Sequence, residues 1–212
     1  PNVVASLSGR TGVSVSWDEE GKMATDGRTV FLPTEIKKKG SENAIRGAID
    51  HETAHIKYTD LKKAQELSKR AFGVFNLLED FRIDNIRRHT GEGYKINQEA
   101  LFDYVNRRIK DRVAKAKTAG SGSPLRQDVL SGLELYSEIT GTPHKFESDI
   151  DPKTRKMVDA ARPFVNQSIT STGTKEVIDL AKKLDKIWYG DPEDEEEGPG
   201  GGSGGGGSKG KH

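Results

Sequence analysis

The sequence contains no cysteine, which rules out disulfides, thiol catalysis and cysteine-ligated metal sites. No stretch approaches the roughly 18 consecutive apolar residues that a membrane helix requires. Neither sign of charge dominates. The 34 Lys+Arg face 33 Asp+Glu for a formal net charge of +1, which argues against a dedicated nucleic-acid binder. No basic, apolar, then small-residue segment marks a secretory signal at the start, so a cytoplasmic address is expected. Pro1 in place of Met points to a fragment or a processed piece. Apolar residues are scarce too, at 32% of 212. Part of that scarcity is local: residues 191–212 are almost wholly glycine, serine, acid and lysine and cannot pack a core.

What is present falls into two periodicities. Val13, Val15 and Trp17 alternate with Ser14 and Ser16, the period of a half-buried strand. Asp18-Glu19-Glu20-Gly21 then turns the chain. A second strand is expected at 28–32, introduced by the tight-turn pair Asp26-Gly27 and closed by Pro33. Together these predict a small antiparallel sheet within residues 1–35. From Ser41 the period is helical. Ser41 with Glu42 behind it reads as an N-cap. Ala44, Ala48, His51 and His55 form one stripe and Ile45, Ile49, Glu52 and Ile56 the next, so that helix is buried over a wide face.

Asp60 is expected to cap one long helix through Phe75 and Ile86 that stops at Gly91. Asn97 opens another, with Leu101, Val105, Ile109 and Val113 on one face. After a break at 120–124, helices are expected through Leu130, Leu133 and Tyr136, from Asp151-Pro152, and from Thr174 to Trp188. The fold class predicted is α+β, mostly α-helical: one domain over 1–190, β-rich in 1–35 and helical over 41–190. Residues 191–212 read as an acidic, glycine-rich disordered linker to a further domain or a partner.

His51-Glu52-Thr53-Ala54-His55 is the HExxH pattern. Positions i and i+4 of a helix share a face, so both imidazoles can converge on one metal ion. Glu52, about 100° further round, lies beside the metal instead of on it and is placed as a general base. A sulfur-free set of histidine and carboxylate suits zinc, with other divalent metals open. A third ligand is available in Asn76-Leu-Leu-Glu79-Asp80-Phe81-Arg82-Ile83-Asp84. Glu79 shares a largely apolar stripe with Phe75, Arg82 and Ile86. Asp80 shares the stripe of Asn76 and Asp84, from which Asp84 would orient a ligating histidine. The pattern leaves Glu79 and Asp80 open as third ligand.

Bland readings stand beside these. Glu79 and Arg82 also fit a buried i, i+3 ion pair fastening two helices. Arg107, Arg108, Lys110 and Arg112 fit a solvated helix face. Tyr58, His89 and Tyr94 are available oxyanion donors that the sequence does not place, and His144 and His212 read as exposed bystanders. Glycines 120 and 122 belong to no phosphate loop, because no Gly-Lys-Ser/Thr follows.

Three segments in this order, Ala24-Thr-Asp-Gly-Arg-Thr-Val-Phe-Leu-Pro33, His51-Glu-Thr-Ala-His55 and Asn76-Leu-Leu-Glu-Asp-Phe-Arg-Ile-Asp84, resemble the N-terminal region of CobT-like proteins. These are cobaltochelatase-type subunits and their phage relatives, which carry a von Willebrand A domain after an acidic linker. The resemblance implies a zincin-like metallopeptidase domain with His51, His55 and an acid from Glu79-Asp80 as ligands. It implies an AAA+ ATPase and a von Willebrand A domain as partners, though the Asp-x-Ser-x-Ser motif of the latter is absent here. Two functions follow as expectations: a zinc-dependent, gluzincin-type peptidase acting on a peptide or protein, or a non-catalytic assembly subunit of such a complex.

Overall fold

The computed structural model describes residues 12–118 and 152–191, together with Gly132, Leu135 and Tyr136. The expected break at 120–124, the residues Leu130, Leu133, His144, Asp151 and His212, and the tail beyond Asp191 lie outside the described residues. Within them the fold is α+β and mostly helical, with a three-stranded sheet at the N-terminal end.

The sheet is mixed, not antiparallel. Strands β1 (Ser14–Asp18) and β3 (Thr29–Pro33) pair in parallel, Ser14 opposite Thr29 and Asp18 opposite Pro33. The two-residue β2 (Ala24–Thr25) runs antiparallel on the other side of β3, giving the order β1-β3-β2. The Asp26-Gly27 signal does make a hairpin, but between β2 and β3. The Asp26 carboxylate accepts from the backbone N–H groups of Arg28 and Thr29, at 2.8 and 2.7 Å, and Gly27 supplies a φ of +90°. Periodicity identifies a strand but not its direction, so the hairpin closed with the intervening β2 and left β1 to join the free edge of β3. Val30 and Leu32 turn inward, while Trp17 stays partly in water beneath Lys37, whose Nζ lies 3.7 Å from the ring centroid.

Helix α1 (Thr34–Lys39) leads from β3 into α2 (Glu42–Tyr58), whose Ser41 cap accepts from the Ala44 N–H at 3.1 Å, as its sequence predicts. The single long helix expected after Asp60 is two. Asp60 caps only α3 (Leu61–Ala64), and Ser68 starts a new helix, α4 (Lys69–Arg88), by accepting from the Ala71 N–H. The following helix α5 (Glu92–Thr118) begins five residues ahead of the Asn97 start expected for it. Helices α6 (Pro152–Thr170) and α7 (Thr174–Tyr189) complete the described chain.

Two cores result. One packs α4 against α6 and α7 through Phe75, Leu78, Val158, Val177 and Leu184, and Arg70 locks α4 to Asp185 of α7 at 2.9 Å. The other joins the sheet, α1, α2 and α5 through Val30, Leu32, Ile36, Ala48 and Leu101. Helix α5 lies against α2 at Gly47, where any side chain would collide with the Asn97 carbonyl. Helices α2 and α4 meet between the two cores. His51 and His55 of the HExxH pattern meet Asp80 and Asp84 of α4 across that seam.

Candidate metal centre

Each of the two helices presents a pair of residues one turn apart. From α2 come His51 and His55; from α4 come Asp80 and Asp84. The Nε2 atoms of His55 and His51 lie 3.0 and 3.6 Å from the same oxygen, Oδ1 of Asp80. Ligand atoms of His51, His55 and Asp80 all fall within 4.8 Å of one another, a spacing that can hold one metal ion.

The opposite ring nitrogens are tied down. His51 Nδ1 lies 3.1 Å from Asp84 Oδ1, which also accepts a 2.7 Å hydrogen bond from the buried Tyr94 hydroxyl. His55 Nδ1 lies 3.1 Å from the Thr59 hydroxyl. That hydroxyl has a single hydrogen and donates it to Glu79 Oε1 at 2.7 Å, so toward His55 it must accept. In a metal-loaded site each imidazole would keep its proton on Nδ1, toward its own partner, and present Nε2 to the cation. The donor set, two imidazole nitrogens and one carboxylate oxygen, fits a borderline divalent cation.

Glu79, the other acid left open by the pattern, points the opposite way. It is wholly buried and grips Arg82 through two bonds, Oε1 to Nη2 at 2.6 Å and Oε2 to Nε at 2.8 Å. It also accepts from Thr59 and, at 3.3 Å, from Thr174 at the start of α7. Glu79 thus belongs to the frame behind His55, while Asp80 joins the two histidines. Glu52 is buried beside them, in the field of His51, His55, Asp80 and Asp84. Burial raises its carboxyl above the ordinary range, and the two histidines only partly offset that.

No protein family, curated protein or solved structure matches this chain.

Some expected roles change. Tyr94 is committed to Asp84 and points no hydroxyl at a substrate. His89 is exposed at the end of α4. Tyr58 lines a separate cleft of about 730 Å³ between the end of α2 and the start of α7. Arg107 is exposed, but Arg108 reaches back to the Gly21 carbonyl at 2.9 Å and so fastens the β1–β2 connection instead of facing water. Thr59 was not singled out by the sequence. Its signal was position, four residues past His55 and just beyond the helix end, where a short hydroxyl reaches back one turn. Among the described residues no helix is long and apolar enough to cross a membrane.

The electrostatics make a testable claim about pH. Burial alone would lower the His51 pKa, but Asp84 and Asp80 outweigh it and hold it well above 6.5. Burial would likewise raise Asp80, yet hydrogen bonds and charge from both histidines keep it at about 2. The stabilisation from protonated His51 is fully present below pH 6.5 and disappears as pH rises through its folded value. That from Asp80 is present above 3.8 and disappears as pH falls toward 2. A cation competes with the His51 proton, so it gains most from binding when that proton is gone. Equimolar zinc is expected to raise Tm more at pH 8 than at pH 5.5. An equal or reversed increment would show that the cation does not replace that proton.

Proposed function

We propose that the protein is a metal-dependent hydrolase of peptide bonds, with His51, His55 and Asp80 holding a divalent cation and Glu52 acting as general base. One observation carries the reading: two imidazoles, each fixed through Nδ1 by its own partner, aim Nε2 at one Asp80 oxygen. Zinc is the first candidate, since neither sulfur nor an all-oxygen set is offered.

The bound cation would supply Lewis acidity, polarising the carbonyl and making the attacking water acidic. The chain's own residues do the rest. Glu52 takes the water's proton and returns it to the leaving amine, and its raised pKa suits both transfers. Asp84, backed by Tyr94, holds the His51 ring; Thr59, backed by Glu79, holds that of His55. The likeness to CobT-like proteins supports a zincin-type reading of the same residues. In its second form, an assembly subunit linked to an AAA+ ATPase and a von Willebrand A domain, the metal is structural and Glu52 idle.

Elemental mass spectrometry of the purified chain tests the site. About one zinc per chain is expected, lost in His51→Ala and Asp80→Ala and kept in folded Glu79→Gln. No metal in the parent after zinc is offered at neutral pH would sink the proposal. Loss with Glu79 but not Asp80 would mean the ligand set is wrongly drawn.

A further inference from the structure

A pocket of about 200 Å³ opens beside the candidate metal centre, with His51, Asp80 and Asp84 in its wall. The rest is nearly all apolar. Helix α5 contributes a single stripe, Gln98, Leu101 and Val105, and helix α4 contributes Phe81. Tyr136 closes an aromatic side: its ring stacks on Phe102 with centroids 4.5 Å apart and tilts against Phe81 at 5.9 Å. Ligand pockets for whole small molecules run from about 300 to 1,000 Å³. This one is smaller, with room for a single side chain.

One uncharged polar group in its lining, Gln98, is incompletely bonded. Gln98 is 5% exposed, and its Oε1 accepts from Arg88 Nε at 3.0 Å. Its Nε2 is buried with no hydrogen-bond partner among the described residues. Flipping the amide would set that NH2 group against the Arg88 N–H, so the orphan is a donor. A buried donor left unpaired is costly, and an acceptor that arrives with a ligand relieves the cost.

We propose that this pocket selects the substrate: it seats one aromatic or large aliphatic side chain of the peptide at the reactive centre, and Gln98 Nε2 donates to a backbone carbonyl of the same peptide. Small side chains leave the aromatic side unfilled. Acidic ones meet Asp80 and Asp84. Basic ones find no free carboxylate, because Asp84 is engaged by His51 and Tyr94 and Asp80 by the two histidines. Gln98 is then a specificity-determining residue. The inference rests on the His51–His55–Asp80 reading for the place where the peptide is cut, but the pocket itself can be tested without a metal.

The test is a titration of the ¹⁵N-labelled full chain, with and without zinc, using N-acetyl amides of phenylalanine, alanine, aspartate and lysine. The phenylalanine probe is expected to bind at least about 10-fold more tightly than the others and to shift the Gln98 side-chain NH2 resonances. Val105→Trp, which fills the pocket from a half-buried position, should abolish that preference. Gln98→Glu keeps a partner for Arg88 but removes the donor, and should weaken the phenylalanine probe by about 10-fold. Equal affinities, unmoved Gln98 resonances, or a preference that survives both variants would overturn the proposal. A phenylalanine preference in a chain that binds no zinc would keep the pocket and sink the metal reading. Zinc bound without any side-chain preference would do the reverse.

Discussion

Glu79→Gln is expected to lower folding stability by about 3–5 kcal/mol, seen as a lower denaturant midpoint at unchanged slope. The figure comes from Arg82, not from Glu79 itself. Arg82 is 2% exposed, and its guanidinium is held by both Glu79 oxygens and by the Tyr58 carbonyl at 2.7 Å. Glutamine keeps the shape but removes the only carboxylate bonded to that guanidinium among the described residues, and turns one acceptor into a donor facing it. A domain of ordinary stability has about 5–15 kcal/mol in hand, so the loss is about a fifth of it or more. Replacing both partners with apolar residues, Glu79→Leu with Arg82→Met, should recover most of it, because a missing ion pair costs less than half of one. The double-mutant cycle separates the pair from its surroundings. A midpoint within about 1 kcal/mol of the parent would mean another group neutralises Arg82.

The Glu79–Arg82 frame also shows how much of the site could be read in advance. The HExxH spacing places both histidines on one helix face by geometry alone, and both lie there. Asp84 was legible as the group that orients a histidine, because it follows Asp80 by one turn. The choice between Glu79 and Asp80 was not legible, since neighbouring residues on a helix differ by about 100° and the pattern does not say which face of α4 meets α2. The packing decides it. Phe75 and Leu78 are drawn into the core with α6 and α7, which carries Glu79 toward Thr174 and leaves Asp80 on the α2 side. The parallel β1–β3 pairing was hidden for a similar reason, being set by which edge of β3 the chain reached. Gln98 was invisible: a lone glutamine in an amphipathic helix carries no signal until its neighbours are known.

Glu52→Gln carries the other large effect. Hydrolysis is expected to fall by about 10²–10⁴-fold, with metal content and fold unchanged. The amide fills the same buried space but cannot take a proton from water or return one to the leaving amine. Stability should hold or rise slightly, because burial disfavours the charged carboxylate that is removed. A variant that loses activity and metal together would place Glu52 among the ligands. A silent substitution in a zinc-loaded chain would favour the assembly subunit. In that case the ordered histidines serve only to join α2 to α4, and Glu52→Gln leaves that joint intact while Asp80→Ala breaks it.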